Sequence, residues 1–239
     1  GGAIVKSSPL FCVVRALLMV CTPLLLLLSN LYLLATPTFI RHEYGKPDFP
    51  LATLYGDVER LSLAKATLHY LRSNEGSDYL MNLRSRGQSV YNTREIKHLV
   101  DVKQVMNAAF WIHRICVLLW VVAAIFIWRQ PRERSGALQA VCQGCLALFL
   151  LLLAIGILAY ANFDLFFTAF HRVFFEGDSW LFAYSDTLIQ LFPVPFWIDA
   201  TWMLALLTMG ECLIVGLIAS ILSRRLCCPQ GAYLRMHYL

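Results

Sequence analysis

Apolar positions gather into blocks along this chain instead of alternating. Four blocks are long enough to cross a hydrocarbon core about 30 Å thick, which takes roughly 20 helical residues. They run from about Leu10 to Leu34, Val105 to Trp128, Ala137 to Ala161 and Ala200 to Leu222. Polar stretches over 36–104 and 163–199 and a short arginine-rich link fill the intervals. The pattern predicts an all-α membrane protein: a single integral membrane domain over 1–239, four transmembrane helices, and two extracellular loops containing interfacial or amphipathic helices. The first block is too long for the apolar region of a signal peptide, and no small-x-small cleavage site follows it, so it is expected to remain as an anchor. Gly1 to Val5 are expected to be a disordered lead.

Within the first loop, Leu54, Val58, Leu61, Ala64, Leu68 and Leu71 recur every three or four positions and predict an amphipathic helix over Leu51 to Leu71, with Arg60, Lys65 and Arg72 on its other faces. Asn92 followed by Glu95 is a capping box, so a helix should start there and run into the second span. Arg94, His98 and Asp101 share one face of it, and a carboxylate three residues beyond an imidazole can fix the ring's tautomer. The third helix is expected to continue to about Phe175, with Asp164, Phe167 and His171 along one side, until Gly177 breaks it. Leu188 to Trp197 is apolar but too short to cross and is interrupted by Pro193 and Pro195, which suits an interfacial or re-entrant element. Asp199 is the expected N-cap of the fourth span.

Composition strengthens the membrane reading. The chain has 239 residues, 59% hydrophobic and 15% charged, where a soluble domain carries about 25% charged. The net charge of +5 comes without a basic stripe interleaved with aromatics, so nucleic acid is not expected as a partner. Lys6 and Arg15 at the first span, Arg129, Arg132 and Arg134 between spans two and three, and Arg224, Arg225 and Arg235 after span four predict that those regions and both termini are cytoplasmic. Arg172 alone against Asp164, Glu176, Asp178, Asp186 and Asp199 suits the outside. All eight cysteines fall in spans or on the cytoplasmic side, so no disulfide framework is expected outside. Cys142 and Cys145 have the spacing of half a metal site but open an apolar helix, where packing is the expected role; Cys227 and Cys228 stand where acylation is conceivable.

Ionisable groups narrow the chemistry. His113 and Arg114 within span two and Glu211 within span four each cost roughly 3 kcal/mol in a bilayer and call for partners; Arg114 with Glu211 is the expected buried polar pair. The stretch Phe170-His171-Arg172-Val173-Phe174-Phe175-Glu176-Gly177-Asp178-Ser179-Trp180 mixes rings with ionisable groups, as segments at the membrane–water boundary do. Ser85, Ser89, Ser179 and Ser185 lack a nucleophile-elbow setting, and no His-x-x-x-His or His-Glu-x-x-His spacing signals a metal.

Glu95-Ile96-x-His98-x-x-Asp101-Val102-Lys103, together with Phe170-His171-x-x-Phe174-Phe175 and the run from Trp180-Leu181-Phe182 to Leu188-Ile189-x-Leu191-Phe192-Pro193, resembles the lipoprotein intramolecular transacylase family of Firmicute bacteria. The resemblance implies a four-helix protein of the bacterial cytoplasmic membrane with its active site at the extracellular face. It implies movement of the sn-2 acyl chain of a diacylglyceryl lipoprotein onto the α-amino group of the same N-terminal cysteine, with His98 and His171 as the catalytic pair and no cofactor or metal. Diacylglyceryl-modified lipoproteins and membrane lipids would be the partners. Ester-to-amide transfer needs no ATP, and the chain has no phosphate-binding glycine loop. Amine and ester belong to one substrate, so proximity can offset on the order of 7–11 kcal/mol of barrier, and imidazole suits the proton transfers. His171 is the expected base; His98, oriented by Asp101, is the expected proton donor or oxyanion stabiliser. Arg94, Lys103, Arg172, Asp178 and Trp180 are supporting candidates. Two alternatives compete: a metal-dependent membrane hydrolase using His42, His98, His171 and nearby acids, and a non-catalytic adaptor or receptor.

Overall fold

The structure is a computed structural model and describes residues 9–227. Lys6, Arg235, Cys228 and the lead from Gly1 to Val5 lie outside those residues. Helix α1 (Pro9–Leu34) is followed by α2 (Pro37–Tyr44), α3 (Asp57–Arg72) and α4 (Ser77–Met81). A two-residue-per-strand hairpin, β1 (Arg84–Ser85) and β2 (Gln88–Ser89), leads to α5 (Thr93–Trp128). A single 3₁₀ turn then precedes α6 (Arg134–Ala161), α7 (Phe163–Phe174), α8 (Thr187–Leu191) and α9 (Val194–Cys227). Helices α1, α5, α6 and α9 are long and apolar enough to cross a membrane, giving the all-α architecture of four transmembrane helices with short helices in the two connections.

The described residues form two compact units. One comprises 9–28, 112–154 and 206–227. Val14, Leu18, Ala123, Ile127, Val141, Cys145, Leu148, Cys212 and Ala219 make its core, and Cys142 packs against it. Gly144 brings α6 close to α1: a Cβ there would stand 2.2 Å from the Met19 carbonyl oxygen, the small-residue contact that membrane helices use where lipid gives them no hydrophobic drive to associate. Arg15 pairs with Glu133 at 2.6 Å. Arg114 is exposed and Glu211 half-buried in this unit.

The other unit comprises 29–111 and 155–205. Leu63, Tyr70, Leu80, Val90, Tyr91, Leu99, Leu188 and Leu191 form one core cluster; Leu34, Phe39, Ile40, Ala64, Leu68 and Phe196 form another. Helix α3 starts at Asp57, six residues later than the apolar spacing predicts, with Asp57 and Glu59 placed where first-turn acids favour a helix N-terminus. Arg60, expected on a face other than the apolar one, is 3% exposed. Its Nε donates to the Gln190 carbonyl (2.8 Å) and its Nη1 to the Pro50 carbonyl (2.5 Å), with the guanidinium 4.8 Å from the ring centres of Tyr44 and Phe49. The hairpin was not legible as strand; Arg86 at φ 50° and Gly87 at φ 81° give it the primed turn that two-residue hairpins favour.

Two expected helix boundaries move. The third helix does not run on to Phe175: α6 ends at Ala161, and the Asn162 side chain accepts from the Leu165 amide at 2.9 Å, capping α7 as a new helix. The fourth span does not begin at Asp199. α9 starts at Val194, with Pro195 in the first turn, where a missing N–H costs nothing. Asp199 lies inside the helix and takes the Lys46 ammonium at 2.8 Å, which also binds the fully buried Glu43.

Candidate active site

The capping box forms as the sequence predicts: the Asn92 side chain accepts from the Glu95 amide (3.0 Å), and the Glu95 carboxylate accepts from the Asn92 amide (2.9 Å). One turn further along α5, His98 is 8% exposed. His171 comes from α7 and lies in the same compact unit. The two ring centres are 6.3 Å apart with their planes 22° from parallel. A substrate heteroatom hydrogen-bonded to both would stand about 3 Å from a nitrogen of each, a demand this separation can meet.

Aromatic rings surround the pair. Phe175 and Phe182 lie 4.9 and 5.3 Å from His98. Phe167, Trp180 and Phe175 lie 4.0, 4.8 and 5.6 Å from His171. Phe167 and His171 meet because they are four residues apart on α7.

The Nδ1 of His171 bonds to the Phe167 carbonyl at 2.7 Å. A carbonyl only accepts, so Nδ1 carries the hydrogen and the neutral ring presents its lone pair at Nε2. Burial holds the His171 pKa below the ordinary imidazole value, with the Phe167 carbonyl opposing that shift. The Nδ1 of His98 is buried without a hydrogen-bond partner.

Several predicted supports lie elsewhere. No hydrogen bond or ion pair joins Asp101 to His98 among the described residues, and the Nδ1 of His98 has no partner. Lys103 donates to the Glu75 carbonyl at 2.6 Å and sits 4.0 Å from the Tyr70 ring centre; five residues along α5, it points to a different face from His98. The Trp180 indole N–H donates to the Gly177 carbonyl at 3.1 Å, so it is not free for an oxyanion, although its ring packs on His171. Arg94 pairs with Asp186 at 2.9 Å and lies 5.2 Å from the Phe182 ring centre. Arg172 and Asp178 are exposed. Among the described residues no three His, Cys, Asp or Glu side chains gather as a metal-holding group.

The sequence did not single out Phe167, Phe175 and Phe182 as the surround of the imidazoles, nor Glu95 as more than a cap. Phe175 lies four residues beyond His171, and that helical spacing was the available signal.

Fold and site define a four-span integral membrane protein with an imidazole pair set among aromatic rings. The family model for lipoprotein intramolecular transacylase Lit matches residues 16–197, and the chain belongs to that family; it is an acyltransferase. An uncharacterized protein of Aquifex aeolicus (strain VF5) is 34% identical over 199 residues, covering 81% of this chain and 87% of that protein. The membrane integral lipoprotein intramolecular transacylase Lit of Bacillus cereus shares the fold, with a TM-score of 0.64 at 17% identity, covering 96% of this chain and 100% of that one. A histidine-to-alanine variant of it gives a TM-score of 0.56 at 16% identity, covering 95% and 96%.

Proposed function

We propose that the protein moves the sn-2 acyl chain of an S-diacylglyceryl cysteine onto the α-amino group of that same N-terminal cysteine, leaving an N-acyl, S-monoacylglyceryl lipoprotein. The observation that carries this reading is the His98–His171 pair, two imidazoles from separate helices, α5 and α7, with ring centres 6.3 Å apart. The amine nitrogen attacks the ester carbonyl, and its proton passes to the Nε2 lone pair of His171. As the tetrahedral intermediate collapses, the carbon–oxygen bond to glycerol breaks. The leaving alkoxide takes a proton from an imidazole: His171 returns the one it accepted, or His98 gives its own and is reprotonated by His171. One ester bond is lost, one amide bond gained, and no net proton is consumed. The α-amine titrates near pH ~8, close enough to imidazole for efficient transfer.

The distribution of Arg15, Arg129, Arg132, Arg134, Arg224 and Arg225 supports cytoplasmic termini in the bacterial cell membrane, with the histidine site at the outer face. Diacylglyceryl lipoproteins are the substrates under this reading, and membrane lipids contact the apolar spans. Arg94, which lies 5.2 Å from the ring centre of Phe182, is the cation this reading would assign to developing negative charge, although it also pairs with Asp186.

Expression in a bacterium that makes diacylglyceryl lipoproteins tests the proposal. Mass spectrometry of a lipoprotein's N-terminal peptide should show one acyl group on the amine and one missing from glycerol. A diacyl form with a free amine, despite good expression, overturns it.

A further inference from the structure

Glu95 does more than cap α5. Its side chain is 1% exposed. One oxygen accepts from the Asn92 amide at 2.9 Å, and the other accepts from the Leu188 amide at 2.8 Å, 93 residues away in sequence. A capping glutamate needs one acceptor and ordinarily sits at an exposed helix start. Here the second oxygen reaches the first turn of α8.

That bond is the centre of a wider tie. Asp186, immediately before α8, accepts from the Ala183 amide (2.7 Å), the Arg94 guanidinium (2.9 Å) and the Asn92 side-chain amide (3.2 Å). The Thr187 hydroxyl donates to the Val90 carbonyl at 2.7 Å. At the other end of α8, Arg60 holds the Gln190 carbonyl and the Tyr44 hydroxyl donates to the Leu191 carbonyl at 2.6 Å. Glu95 contributes the deeply buried carboxylate of the set.

What this tie holds is the segment leading into α8. Trp180 and Phe182 lie on it, and they pack at 4.8 Å on His171 and 5.3 Å on His98. Glu95 itself precedes His98 by three residues on α5. One side chain therefore joins the helix carrying the first imidazole to the segment that covers both. The two-oxygen requirement explains the residue type: alanine would leave the buried Leu188 N–H unpaired and the Asn92 N–H without its cap acceptor, and glutamine would satisfy one while turning its own NH₂ toward the other.

We infer that Glu95 is a positioning residue for acyl transfer, setting the Trp180–Phe182 segment against the two imidazoles by holding the Asn92 and Leu188 amides on its two oxygens. The inference rests on His98 and His171 being the reacting groups. It is tested with purified full-length protein in lipid vesicles and a synthetic diacylglyceryl lipopeptide, comparing Glu95→Ala and Glu95→Gln, with His98→Ala and His171→Ala alongside. Turnover is expressed per folded molecule, with the folded fraction read by thermal unfolding. Glu95→Ala is expected to lower kcat roughly 10–100-fold, the scale at which small misplacements of reacting groups act, while KM changes less than about threefold; Glu95→Gln should recover part of that loss. Unchanged kcat per folded molecule in Glu95→Ala, or a fall that merely tracks the folded fraction, overturns the positioning role. Full activity in both histidine variants instead overturns the reading of the site on which it rests.

Discussion

The Nδ1 hydrogen of His171 is committed to the carbonyl oxygen of Phe167, 2.7 Å away and one turn back on the same helix. That bond selects the tautomer and leaves the lone pair on Nε2, where the proposed transfer needs a base. His171→Ala should lower acyl transfer by at least about 100-fold, the scale of a general base, measured by mass spectrometry of a synthetic lipopeptide.

The pH profile follows from the same ring. Burial lowers the His171 pKa, and the Phe167 carbonyl only partly offsets this. Under the proposed transfer the neutral form of His171 is the base, and it stays populated below the ordinary imidazole value of about 6.5. Protonation of the substrate α-amine near pH ~8 lowers the rate first; with that titration measured on the free lipopeptide and divided out, the remaining acid limb should have its midpoint below the ordinary imidazole value. A midpoint of that corrected limb above the ordinary imidazole value would contradict the assignment.

Trp180 separates ring packing from hydrogen-bond donation. Its N–H is taken by Gly177 and its ring lies against His171. Trp180→Phe should therefore cost less than about tenfold in kcat, and Trp180→Ala clearly more. If the indole N–H instead stabilised an oxyanion, Trp180→Phe would lose roughly 100-fold or more.

Lys103→Met should leave turnover within about threefold of the parent, because the ammonium serves Glu75 and Tyr70 and faces away from His98. Kinetics with the lipopeptide check this; a large drop in kcat would place the cation back at the reaction.

Arg60→Ala should destabilise the protein by about 3 kcal/mol, since it removes charged hydrogen bonds to two carbonyls, Gln190 and Pro50, each worth roughly 1.5–3 kcal/mol. Thermal unfolding in detergent reads the loss. Arg60→Lys should recover little, because one ammonium cannot reproduce the forked contacts between two aromatic rings.

The four spans were legible because a bilayer imposes length and apolarity on each helix separately. The capping box at Asn92 and Glu95 was legible because it is local. His98 and His171 stood out through resemblance, since periodicity does not tell which distant segments meet. Arg60 shows the limit of face-counting: its charge suggested solvent, yet the carbonyls of Pro50 and Gln190 and the rings of Tyr44 and Phe49 accommodate it inside. Asp101 failed as an orienter for a related reason, since helical spacing gives proximity but not the rotamer, and the aromatic packing around His98 leaves its Nδ1 unpaired. The Asn162 break was hidden because apolar residues continue on both sides of it.

That break has a mechanical consequence. In an uninterrupted helix, adding one residue to the third span would swing every later side chain by about 100°. The extended backbone of Asn162 (φ −158°, ψ 97°) interrupts that winding before Phe163, so the direction of α7, and with it the aim of His171, is set by the two dihedrals of one residue and not by the register of the third span alone.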